Sequence, residues 1–166
     1  MTTPDDDRVQ AFWEVAKRRA KLAALPGYFG PSALESLAPA AWAFGGNAEE
    51  ADALLALVLD GTKTATASAL WDYEAEDEAL PQTGTLSIVL DGAGTPRALL
   101  VIKDVAIVPF DEVDAEHARA EGEGDLSLEH WRAVHREFFT RVATHDRGFQ
   151  SDMPVVLERF EVLHQE

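Results

Sequence analysis

The segment from Asn47 to Gly61 carries its own start and stop signals, so it dictates where the next residues emerge. Asn47 is suited to cap a helix, with Glu50 three residues on as its reciprocal partner. Leu54, Leu55, Leu57, Val58 and Leu59 form a broad apolar stripe, and Gly61 stands where a left-handed C-terminal residue belongs. Immediately after this abrupt stop come Thr62-Lys63-Thr64-Ala65-Thr66-Ala67-Ser68, seven residues holding one lysine, three threonines and a serine, with no carboxylate. Such a run offers one cation and several hydroxyls that both donate and accept hydrogen bonds. Read by itself, it is a helix stop followed by a Thr-rich strand from Thr64 to Trp71.

The other elements fall around this junction. Asp7 to Leu25 reads as a helix, with Phe12, Val15, Ala16, Leu22 and Ala23 near one face. Its cations Lys17, Arg18, Arg19 and Lys21 lie toward the C-terminal half, where the helix dipole favours them. Pro26-Gly27 stops it, and Tyr28 to Pro39 is irregular, with room for a short helix from Ser32 to Leu37. Trp42 and Phe44 stand just before Gly45-Gly46; they are placed either to stack on a flat ligand or to join the core. Thr85 to Leu90 reads as a strand. Asp91-Gly92-Ala93-Gly94 is a turn, and Arg97 to Phe110 is one bent strand or two, interrupted at Lys103-Asp104. A short helix opens at Phe110-Asp111 and ends near Gly122. Ser127 caps the next helix, where a staple between Leu126 and Trp131 is expected and His135 lies on the apolar stripe. Val155 to Leu163 is a final strand. Helices, strand, hairpin, two helices and strand, without βαβ spacing, give an α+β fold with a small, mainly antiparallel sheet or barrel.

Composition narrows the function. At 166 residues the chain suits one domain with a real core. The net charge is −16, with 14 basic residues against 30 acidic ones. Gripping duplex DNA or long RNA requires many phosphates to be neutralised by Lys and Arg, so such tracking is not expected, whereas a local pocket for a small ligand or one or two nucleotides is compatible with this balance. No apolar run approaches the roughly 18 residues of a membrane span, and no basic-then-apolar leader opens the chain; the expected location is the cytoplasm. The absence of cysteine excludes disulfides, thiol nucleophiles and Cys-based zinc sites. The five histidines form no HExxH pattern, and Glu121, Glu123 and Asp125 do not fit a calcium loop, so neither a metal nor a cofactor is expected. There is no G-x-S-x-G elbow and no Walker loop.

What remains is a lysine, a threonine and a carboxylate. A lysine against an apolar wall loses hydration and can act as a base near neutrality. It can then activate a threonine hydroxyl, while a glutamate holds the lysine or moves the proton to a leaving amine. Lys63 and Thr66, three apart at a helix-to-strand junction, are near enough to meet. Spacing alone brings no glutamate to them.

With these residues in view, the chain resembles ASCH-domain proteins of the PUA-like superfamily. The resemblance rests on Trp42-Ala43-Phe44-Gly45, on Gly61-Thr62-Lys63-Thr64-Ala65-Thr66-Ala67-Ser68 with its Gly-x-Lys-x-x-Thr-x-Ser signature, and on Pro109-Phe110. It continues through Glu121-Gly122-Glu123-Gly124-Asp125, Trp131-Arg132 and His135 to Phe139. It covers residues 40 to 164, which divides the chain into an N-terminal helical extension, 1–39, and an ASCH domain, 40–166. The resemblance implies a small β-barrel flanked by helices, with the signature in a cleft. It implies RNA binding in some members, ribonuclease activity in others, and in a short bacterial branch hydrolysis of the amide of N(4)-acetylcytidine by Lys, Thr and Glu. Carried over, these are Lys63, Thr66 and Glu121, the last because the branch sets its glutamate shortly after a His-Ala pair and His117-Ala118 precedes Glu121 here. Trp42, Phe44, Gly45, Ser68, Trp71 and Arg132 are the substrate-binding candidates. The chain departs from the pattern in its N-terminal extension, in Gly84-Thr85 where members often have Gly-Asp, and in Ala67-Ser68 after the threonine. The expected partner is a nucleoside or short single-stranded RNA, handled either by an enzyme or by a binding module without turnover.

Overall fold

The structure, a computed structural model, describes residues 5–20 and 37–166. The expected end of the first helix at Leu25, its stop at Pro26-Gly27 and the short helix from Ser32 lie outside the described residues. Helix α1 (Asp6–Arg19) is capped by the Asp5 carboxylate, which accepts from Arg8 N–H. Strand β1 (Ala41–Trp42) precedes helix α2 (Ala48–Leu59), strand β2 (Ala65–Ala69) and helix α3 (Leu70–Ala75). Strands β3 (Leu86–Leu90) and β4 (Pro96–Pro109) form the hairpin. A 3-10 turn (Phe110–Glu112), helices α4 (Ala115–Glu121) and α5 (Leu128–Arg141), and strand β5 (Pro154–Gln165) complete the order.

The five strands form one sheet in the order β1-β3-β4-β5-β2, antiparallel except for the β1–β3 pair. The α+β architecture is therefore as expected, but among the described residues the sheet does not close: β1 and β2 are its two edges. The long strand is single rather than double. Ile102 pairs with Phe160 and Asp104 with Arg159, so Lys103 is the extra residue of a bulge that bends β4.

Period-two alternation explains how this sheet is covered on both faces. Ile88, Leu90 and Leu99 pack on Val9, Phe12, Trp13 and Ala16 of α1. Their neighbours Val89, Ala98, Leu100 and Ile102 pack instead with Phe44, Phe160, and Leu55 and Val58 of α2. A third cluster, around Phe110, Trp131, Phe139, Met153 and Val155, joins α4 and α5 to β5. No helix among the described residues is long and apolar enough to cross a membrane.

Several local expectations need correction. Asn47 caps α2 through Glu50 N–H at 2.9 Å, but the Glu50 carboxylate accepts from Gly46 N–H at 2.6 Å and also meets Arg141, rather than closing a box on Asn47. The strand expected to reach Trp71 stops at Ala69, and Trp71 lies in α3. Asp111 sits in the 3-10 turn, and the cap of α4 is Asp114, whose carboxylate accepts from His117 N–H at 2.8 Å. Leu126 is exposed, with a left-handed φ of 68°, while Trp131 is buried in the cluster around Phe110.

Candidate functional site

Two backbone crossings bring the site together. After the left-handed Gly61, Lys63 N–H reaches back to Leu57 C=O at 3.0 Å, which turns the chain sharply out of α2. Thr64 N–H then donates to Ala120 C=O at 2.8 Å, pinning the entry to β2 against the end of α4. Gly122, at φ 73°, lets α4 end against that crossing; a Cβ there would lie 2.5 Å from Thr62 O. A Gly122→Ala variant combines a left-handed strain with a backbone clash and is expected to lose about 2 kcal/mol or more. Urea unfolding would measure this, and an unchanged midpoint would contradict the packing described.

These crossings face Lys63 and Glu121, 58 positions apart in sequence, across a buried interior. The Lys63 ammonium lies 3.3 Å from Glu121 Oε1 and 3.2 Å from Glu123 Oε2, and donates to Ala65 C=O at 2.9 Å. It also stands 5.5 Å from the centre of the Phe44 ring. Glu121 accepts from four side chains: Lys63, His117 Nε2 at 2.7 Å, His135 Nε2 at 3.3 Å, and Trp131 Nε1. Burial pushes the Glu121 pKa up, but hydrogen bonds from His117 and His135 and the charge of Lys63 outweigh it. The carboxyl is held well below the usual carboxylate range. Burial alone would lower the His135 pKa. Its contact with Glu121, the charges of Glu121 and Glu123, and the bond from Nδ1 to Trp131 C=O at 2.9 Å together raise it.

Glu121, Glu123 and His135 have ligand atoms close enough to share a cation. The Lys63 ammonium already sits against both carboxylates, so a metal ion there would meet its charge. Asp125 turns away and accepts from Ser127 N–H.

The pair lies in the floor of a cleft of about 900 Å³. Residues of both sheet edges, Trp42 at the end of β1 and Thr66 and Ser68 on β2, line this same cleft, so it lies at the gap between the two edges. Phe44 and Gly45 line it too, with Trp42 edge-on to Phe44 at 4.7 Å. Of the candidate residues, Lys63, Thr66, Glu121, Trp42, Phe44, Gly45 and Ser68 thus come together. Two do not. Trp71, carried off by α3, packs edge-on to His145 at 5.3 Å under Arg147. Arg132 donates to Asp111 C=O at 3.1 Å, tying α5 to the 3-10 turn.

Sequence reasoning missed the supporting roles of His117, Glu123 and Trp131 around the pair, and missed Glu158 and Tyr73 on the cleft wall. Glu158 is directly opposite Thr66 in the β2–β5 register. Burial raises its pKa to about 7. Tyr73 bonds Ser68 Oγ at 3.0 Å.

A family model described as the ASCH domain matches residues 40–164. Among solved structures, the chain is similar to a protein from Enterococcus faecalis V583, with 34% identity, a TM-score of 0.78, and 94% of this chain and 88% of that one covered. It is also similar to an ASCH domain from Lactobacillus crispatus JV V101, with 30% identity, a TM-score of 0.77, and 95% and 94% covered. Comparison with curated proteins gives no match.

Proposed function

Because the chain belongs to the ASCH domain family, we propose that it is a hydrolase of a modified nucleoside. The scissile bond is an amide like that of N(4)-acetylcytidine, with Thr66 as nucleophile, Lys63 as proton carrier and Glu121 as the group that holds Lys63. The observation that carries this reading is the buried Lys63–Glu121 pair, whose ammonium also bonds the carbonyl of Ala65, the residue before Thr66. Thr66 Oγ attacks the acyl carbonyl and the C–N bond breaks. Lys63 gives a proton to the leaving nitrogen and takes the Thr66 proton in return. Water then cleaves the Thr66 ester, releasing the carboxylic acid and restoring the hydroxyl. The network on Glu121 keeps it ionised, so the lysine is fixed without a change in the carboxylate's protonation.

The charge of the cleft supports a free nucleoside over a phosphorylated ligand. Glu50, Glu78, Glu121, Glu123 and Glu137 line it, against Lys63 and Arg141. Both cations are already paired, Arg141 with Glu50 at 2.6 Å and Glu137 at 3.0 Å. A phosphate entering here meets net repulsion and, among the described residues, no unpaired lysine or arginine of the lining. The test is release of cytidine from N(4)-acetylcytidine compared with release from its 5′-monophosphate. The nucleoside is expected to show kcat/KM higher by about tenfold or more. No release from either substrate would sink the hydrolase reading.

A second reading, a pocket that binds a nucleotide or short single-stranded RNA without turnover, draws on Trp42, which is half-buried in the cleft and offers a stacking face. Binding of single-stranded RNA at low salt with no product would select it, and cleavage of the strand would select a ribonuclease.

A further inference from the structure

The cleft holds a carboxyl that the mechanism above does not use. Glu158 is 8% exposed, and it lies on the β5 wall opposite Thr66. Among the described residues no hydrogen bond or ion pair reaches its carboxyl, unlike Glu121 in the same cleft, which is met by four donors. A buried acid that lacks a partner is poised to take one from a ligand. We propose that Glu158 is the residue that reads the ligand's base, its neutral carboxyl donating O–H to a ring-nitrogen acceptor and accepting from the adjacent exocyclic N–H. The ligand class is a heterocycle of the amino-pyrimidine kind, whose edge sets an acceptor beside a donor. This rests on the nucleoside reading above and adds the group that holds the base next to Thr66.

A carboxyl can play this part only while protonated, since an ionised one has no donor. Its surroundings favour that state. Burial holds Glu158 up at about 7. Glu78 and, from α5, His135, Glu137 and Arg141 line the same cleft, and burial alone accounts for the raised pKa of Glu158. Tyr73 on α3 interacts with it, and its own pKa is raised by burial and, in part, by Glu158. Lys63, just before β2, is engaged by Glu121 and Glu123, and Glu50 of α2 by Arg141. On β4, Asp104 pairs in register with Arg159, the next residue along β5, while Glu158 itself faces Val105.

The test is equilibrium binding of cytidine, which is not turned over, to the whole protein at pH 6 and pH 8. Wild type is expected to lose affinity about tenfold over this range, as the carboxyl passes from mostly protonated to mostly ionised. Glu158→Gln keeps a donor beside an acceptor, so it should bind at both pH values with the pH dependence gone. Glu158→Ala should bind weakly at both. Wild-type affinity that does not change with pH, or that Glu158→Ala leaves intact, overturns the proposal while leaving the hydrolase reading standing. Binding that follows this pattern in a protein that never releases cytidine from N(4)-acetylcytidine supports the proposal and overturns the hydrolase reading. No cytidine binding at either pH overturns the proposal, while the hydrolase reading stands or falls on release from N(4)-acetylcytidine.

Discussion

Lys63→Ala is expected to abolish turnover and to cost the fold about 3–5 kcal/mol, the range for removing one partner of a buried ion pair. Lys63 and Glu121 are both almost wholly buried, at 2% and 1% exposure. With the ammonium gone, Glu121 keeps its donors from His117, His135 and Trp131 but loses its closest fixed positive charge, and Glu123 loses its partner as well. The carboxylate is held low partly by Lys63, so its stabilising effect changes with pH in a set direction. A folded-state pKa below the unfolded one gives stability that is present above the unfolded value and is lost as pH falls through the folded one. Wild type should therefore lose this contribution only in acid, and the variant should lose it at higher pH. Urea unfolding between pH 3 and 8 would measure both effects. A variant as stable as wild type would mean that the pair holds nothing together.

Glu158 acts in the opposite sense. Its folded pKa of about 7 exceeds that of an ordinary carboxyl, so the folded state binds its proton more tightly than the unfolded chain. The associated stability is full below the unfolded value and is lost as pH rises through about 7. The whole span corresponds to roughly 3 kcal/mol at about 1.4 kcal/mol per pKa unit. Glu158→Gln has nothing to ionise, and should be more stable than wild type at pH 8 by up to about 3 kcal/mol, with little gain at pH 5. His135, whose pKa is also raised, adds a loss of the same sign as pH rises, which the Gln variant retains. Thermal unfolding at the two pH values separates the contributions. An equal effect of the substitution at pH 5 and pH 8 would show that burial does not hold the proton on Glu158. The stabilising variant is one that should alter ligand binding, a trade found where an active site retains an uncompensated polar group.

The sequence made the local features legible because each is set within a few residues. Asn47, Ser127 and Gly61 are read from single turns, and each occupies the position expected of it. Trp71 misled because an aromatic after a Thr-Ala run suits a strand, yet the chain turns into α3 at Leu70. The two-residue β1 had no pattern long enough to detect. The meeting of Lys63 with Glu121 depends on hydrogen bonds from Thr64 to Ala120, a contact over 56 positions that no periodicity encodes. Only the resemblance supplied that pairing. Glu158 was invisible for a related reason: it is one of two glutamates on β5, and only the fold buries it beside Thr66 while Glu161 stays exposed.

The most direct measurement is cytidine release from N(4)-acetylcytidine by wild type beside Thr66→Val, which replaces the hydroxyl with a methyl of similar size and leaves Lys63 and Glu121 untouched. Wild type should release cytidine steadily and the variant only at the no-protein rate, with cytidine still bound by both. Equal release by the two proteins would contradict Thr66 as the nucleophile.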